Sequence, residues 1–191
     1  MTLSVGDMQL DEISAKGISF AIGKLTNLSD LTLDLSENEF GDIGTAELGT
    51  SLANCLNIKN LLIDLRQQIV QNGLYFIFWR NSFCFKNTTN NLYQLLIIDI
   101  KSANSIGNQG AQALALGISN CLNLFNLTLA LSVNQFSYEG ASSLVTEIQK
   151  CKNISSLIFQ IYANELDEKD CQKLRRRVLK FKQLTKLNID I

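Results

Sequence analysis

Asp34, Asp64 and Asp99 occupy one position in three similar stretches, LTLDL at 31–35, LLIDL at 61–65 and LIIDI at 96–100. Carboxylates brought side by side can share a proton for acid–base chemistry or hold a cation. Both uses need helpers, and the chain has no histidine, no Gly-rich phosphate loop, no G-x-S-x-G elbow and no kinase signature set. No residue is therefore assigned a catalytic, metal or cofactor-binding role, and the chain reads as a non-enzyme without a cofactor.

The thiols give the same answer. Cys55, Cys121 and Cys151 share a position that Leu25 and Phe181 fill elsewhere in the chain. Interchange with Leu and Phe marks a buried apolar slot. With no C-x-x-C pair, the expectation is buried free thiols, not a metal or redox centre.

These residues recur because the whole chain recurs. LTLDLSENEFGDIGTAELGTSLANC at 31–55 returns as LTLALSVNQFSYEGASSLVTEIQKC at 127–151. Aligning on L-x-L-x-L gives starts at Met1, Leu31, Leu61, Leu96, Leu127, Leu157 and Leu187, which predicts seven short strands. Asn38, Asn134 and Asn164 follow seven residues after the first Leu, and Asn104 eight after Leu96. Their amides suit the unpaired backbone where the chain leaves a strand.

The period then lengthens to about 3.6, as in Leu48, Leu52 and Cys55 or Leu114, Ile118 and Cys121, which predicts helices with one apolar stripe. Gly44, Gly110 and Gly140 open three of them and permit close approach. Helices are wider than strands spaced about 4.8 Å apart, so strands on one side and helices on the other must curve. The predicted fold is α/β: a right-handed horseshoe solenoid of about six repeats, with a concave parallel sheet and convex helices.

The run L-x-L-x-L-x-x-N, as Leu31, Leu33, Leu35 and Asn38 or Leu127, Leu129, Leu131 and Asn134, precedes a small-residue helix start and a Leu-rich helix. It resembles the ribonuclease-inhibitor-like class of leucine-rich repeat and covers nearly all of residues 1–191 as a single domain. The sequence departs from that pattern at Met8 and Gln68, which stand where Asn is expected, and in lacking a polar capping segment at either end. The resemblance implies a non-enzymatic scaffold that binds protein partners of unspecified identity through the concave face. Two alternatives stay open: a regulator of a partner enzyme, in the manner of GTPase activators of this class, or an interaction fragment of a larger multidomain protein.

Residues between the strand leucines would face the concavity. Leu62 and Ile97 beside Asp34, Asp64 and Asp99 give an apolar centre with a charged flank, and Arg66, Lys101, Gln160 and Tyr162 surround the strand ends. These nine residues form the expected protein-binding surface. An acidic column about 5 Å from strand to strand would favour a basic partner.

Residues 66–91 break the repeat and hold six of the chain's fifteen aromatics. Tyr75, Phe76, Phe78 and Trp79 would offer an aromatic patch, although a repacked repeat or an unspliced or frame-shifted stretch accounts for the same sequence. The bases of the last helix, from Lys169 to Lys182, read as a solvated face, with an acidic or phosphate-rich partner as the sharper alternative.

With 17 basic against 18 acidic side chains, no overall field recruits nucleic acid or membrane. The N-terminus does not read as a secretory signal and no stretch approaches a membrane span, so the expected compartment is cytoplasm, or nucleus. Self-association through the terminal strand edge at 187–191 is a further expectation.

Overall fold

The computed structural model describes residues 1–67 and 104–191, together with the backbone of two short strands between them. In chain order the elements are β1 (Thr2–Ser4), α1 (Glu12–Gly23), β2 (Asp30–Asp34), α2 (Gly41–Leu52), β3 (Asn60–Asp64), β4 (Ile69–Gln71), β5 (Leu74–Phe76), α3 (Asn108–Ser119), β6 (Asn126–Ala130), α4 (Tyr138–Ile148), β7 (Ser156–Gln160), α5 (Glu168–Val178) and β8 (Lys186–Asp190). They fall into two compact units. The first, Met1–Gln67 with Ser102–Ile191, is a six-stranded, all-parallel sheet in the order β1-β2-β3-β6-β7-β8, alternating with five helices. The second, Gln68–Lys101, contains the antiparallel pair β4–β5, with Ile69 opposite Phe76.

Alternation builds the first unit's core. Leu31, Leu33, Leu35, Leu61, Ile63 and Leu65 are at most 2% exposed, as are their counterparts on β6 and β7. Burying each such side chain contributes about 1.5–3 kcal/mol. Leu48, Leu52, Leu114, Ile118, Leu144 and Ile148 cover them from the helices.

Glycine lets those helices approach. A Cβ on Gly117 of α3 would lie 2.0 Å from the carbonyl oxygen of Gly49 in α2, and one on Gly49 would lie 2.4 Å from that of Ala113. No other residue fits either place.

The turns are held by side chains that reach from one repeat to the next. Asn38 Nδ2 donates to the carbonyls of Leu35 and Val5, at 3.1 and 2.9 Å. Asn134 donates to Leu131 and Leu65, both at 3.1 Å, and Asn164 to Ile161 and Leu131, at 2.9 and 3.0 Å. The residue before each of these three, Glu37, Val133 and Ala163, has a positive φ of 53–59°. That left-handed step turns the backbone so that the amide points inward, at a cost of about 1–2 kcal/mol for a non-glycine residue. A second column, absent from the sequence reading, closes the opposite end: Asn57, Asn123 and Asn153 donate to the carbonyls of Thr26, Leu56 and Leu122, at 3.0–3.1 Å.

The strand count needs one correction. The fourth expected strand, starting at Leu96, lies outside the described residues, and β3 pairs directly with β6, Leu61 opposite Leu127. Asn104 belongs to the repeat of β3. Its Nδ2 donates to the carbonyls of Leu65 and Leu35, both at 3.1 Å, so it fills the place the sequence reading gave to Gln68.

Candidate functional site

The sheet has one buried face and one half-exposed face, and parallel register sets the second as rows across the strands. One row runs Thr2, Thr32, Leu62, Thr128, Ile158 and Asn188; the next runs Ser4, Asp34, Asp64, Ala130, Gln160 and Asp190. Leu62 is half-buried, with Thr32 and Thr128 on either side. Asp64 lies between Asp34 and Ala130. The expected neighbours Ile97 and Asp99 therefore do not occupy the adjoining slots. Both lie outside the described residues, as does Lys101.

The acidic column is shorter than expected and already furnished with partners. Arg66 grips Asp64 with Nε at 2.9 and 3.1 Å from the two carboxylate oxygens and Nη2 at 2.6 Å. This two-pronged geometry is among the strongest a carboxylate can make. Those hydrogen bonds, reinforced by the charges of Asp64, Tyr162 and Asp34, hold the Arg66 guanidinium above its ordinary pKa against the effect of burial. Ser132, fully buried, lies between the strand ends that carry Arg66 and Tyr162, its carbonyl accepting from Gln67 N at 3.4 Å while Val133 N donates to the Tyr162 carbonyl at 3.0 Å.

Asp34 has no cation of its own but two hydroxyls. Ser36 Oγ donates to it at 2.7 Å and Ser4 Oγ, one repeat earlier, at 2.9 Å. Burial pushes its carboxyl up, but the bonds from Ser36 and Ser4 outweigh that, with help from Arg66, and its pKa falls below the usual value. Glu37 moves the other way: burial raises it, and the charges of Asp7, Asp34 and Asp64 raise it further. Asp7, Asp34, Glu37 and the Asp64–Arg66 pair thus gather at one end of the face. Sequence reasoning put Ser4 in one column with Asp34 and Asp64 but gave it no role, and it did not single out Ser36 or Glu37. Ser36 sits two residues beyond Asp34 and Ser4 one repeat before it, so spacing brings both near the carboxylate without showing that their hydroxyls turn to it.

Gln160 and Tyr162 are half-buried at the far side of the same face, near the exposed Asp190. Tyr75 and Phe76 lie in β5, described only as backbone, and Phe78 and Trp79 lie outside the described residues.

The thiols are chemically quiet. Cys55, Cys121 and Cys151 are free and buried, each donating to the carbonyl four residues back and to one at the end of the preceding helix: Ile22, Leu52 and Ile118, at 3.6–3.7 Å. Burial, with smaller effects from neighbouring thiols, pushes Cys121 up to about 12. Burial and the Glu147 carboxylate push Cys151 up to about 11. The thiolate that would ligate or attack is thus suppressed. Among the described residues, no group of three or more His, Cys, Asp or Glu side chains could hold a metal ion, and no helix is long and apolar enough to cross a membrane.

No protein-family model matches the chain. No curated protein matches it either.

Proposed function

We propose that the chain is a leucine-rich-repeat solenoid, a right-handed horseshoe whose concave sheet binds a protein partner and which performs no chemistry of its own. The observation that carries this reading is the half-exposed face itself. Six in-register strands present apolar Leu62 between Thr32 and Thr128 and Ile158 between Thr128 and Asn188, flanked by Asp34, the Asp64–Arg66 pair and Gln160. Apolar area with a polar, hydrogen-bonded rim is how protein interfaces are built. The 30-residue period, the Asn column behind the turns and the small helix starts support the solenoid reading.

The test is affinity purification with the intact chain, compared with a Thr32→Arg, Ile158→Arg variant of the face and an Ile43→Arg variant of the exposed helix surface. The reading expects specific partners that are lost with the face variant and kept with the helix variant. Equal recovery with all three chains would refute it.

A further inference from the structure

The near-zero net charge conceals a separation of charge between the two ends of the strands. Among the described residues, those between a strand's end and the next helix, 5–11, 35–40, 65–67, 104–107, 131–137 and 161–167, hold six carboxylates, Asp7, Asp11, Glu37, Glu39, Glu165 and Asp167, against one base, Arg66. In the return turns from helix to strand, residues 24–29, 53–59, 120–125, 149–155 and 179–185, the balance reverses. They hold Lys24, Lys59, Lys150, Lys152, Lys180 and Lys182 and no acid, and all six lysines are exposed.

Two of these lysines have local company: Lys24 lies over the Phe20 ring and Lys150 pairs with Glu147. Lys59, Lys152, Lys180 and Lys182 form no ion pair among the described residues. Asp30, at the start of β2, is engaged by Ser29 and Asn60.

Apolar side chains project among these lysines. Leu56, Leu122, Phe125 and Leu179 are 51, 68, 45 and 65% exposed. The turns that carry them are locked side by side, since Asn123 donates to the Leu56 carbonyl and Asn153 to that of Leu122, both at 3.0 Å, and Phe125 N to that of Lys59 at 2.8 Å. Leu56 and Leu122 thus follow Thr26 in one row of turn tips, and Lys152 and Lys182 continue it in the next repeats.

We propose that this return edge docks on an anionic lipid surface. Lysines there meet phosphate and carboxylate headgroups while the leucines and Phe125 enter the boundary between headgroups and acyl chains, the division of labour of interfacial binding segments. A nucleic-acid surface would instead call for stacking aromatics among the bases, and this edge has one aromatic among three leucines. The opposite, acidic edge of the first unit is repelled by the same surface, so this unit docks in one orientation, with its strands upright on the bilayer. The chain needs no spanning helix for this.

The test is co-sedimentation of the full chain with phosphatidylcholine vesicles, with and without phosphatidylserine, using two variants checked for fold by circular dichroism. One changes Lys150, Lys152, Lys180 and Lys182 to Gln; the other changes Leu122 and Leu179 to Ser. Binding is expected only with phosphatidylserine, falling by at least about tenfold in the Lys→Gln variant and several-fold in the Leu→Ser variant. No binding to phosphatidylserine vesicles, or undiminished binding by either variant, overturns the proposal. So does tighter binding to a single-stranded oligonucleotide than to the vesicles.

Discussion

Asn104 stands to Leu65 as Asn38 stands to Leu35: the amide donates to the carbonyl at 3.1 Å in both pairs, although 39 residues separate the first pair and 3 the second. Asn60 and Asn126, adjacent on β3 and β6, are 66 residues apart where Asp30 and Asn60, adjacent on β2 and β3, are 30 apart. The connection after β3 therefore carries 36 additional residues, 68–103, between Gln67 and Asn104. Neither the sheet register nor the Asn column registers their presence.

Joining Gln67 directly to Asn104 restores the three-residue step from Leu to Asn found in the other repeats. The shortened chain is expected to fold with the same helical and sheet circular dichroism and to melt cooperatively, within a few degrees of the full chain. Loss of the cooperative melt would show that 68–103 is integral to the first unit's stability.

The amide that closes the junction is also among the most heavily used. Asn104 is fully buried, donates to two carbonyls and accepts from Phe40 N at 3.3 Å. Asn104→Ala leaves Phe40 N unpaired in the core and takes one of two side-chain donors from the Leu65 and Leu35 carbonyls, which keep Asn134 and Asn38, and should cost about 2–3 kcal/mol in urea unfolding. Asn164 donates in the same way, but its Oδ1 is buried without a partner and its residue is less enclosed. Asn164→Ala should cost about 1 kcal/mol less than Asn104→Ala.

The repeating parts of the fold were legible because each is stated several times. Leu31, Leu61, Leu127, Leu157 and Leu187 each open a run of period 2, and the shared Cys position reads as core from its exchange with Leu25 and Phe181. The stretch LIIDI at 96–100 misled for the same reason. It repeats the strand pattern, yet β3 pairs with β6, and local pattern cannot say which of two similar stretches a neighbouring strand will select. On the face, Asp34 and Asp64 could be placed from register alone. Their partners could not, because the orientation of Ser36 Oγ and Arg66 depends on side-chain conformations that no spacing encodes.

Two carboxylates on that face should bend the pH–stability curve in opposite directions. Asp34 has its folded pKa held down, so its contribution is complete above the unfolded pKa and is lost as pH falls through the lower, folded value. Glu37 has its folded pKa raised, so its charge disfavours the fold at neutral pH and protonation relieves this as pH falls through the raised value. Glu37→Gln should therefore raise the melting temperature at pH 7 and lose that advantage in acid. Asp34→Asn should lower it at pH 7 and flatten the acid limb. Thermal melts from pH 3 to 7 check both, and parallel curves for the two variants would contradict the assignment.

Gly117 and Gly17 should respond to the same substitution with opposite signs. Gly17 lies on the exposed side of α1, and a Cβ there meets nothing within 4 Å. Gly17→Ala adds helix propensity without a clash and should stabilise by about 0.5–1 kcal/mol. At Gly117 the Cβ would fall 2.0 Å from the Gly49 carbonyl oxygen, which is backbone and cannot rotate away. Helices α2 and α3 would have to part along their contact, loosening Leu48, Leu52, Leu114 and Ile118 beneath them. Gly117→Ala should cost about 3 kcal/mol. Chemical denaturation of the two variants beside the parent measures the pair, and a neutral Gly117→Ala would mean that α2 and α3 do not approach through their glycines.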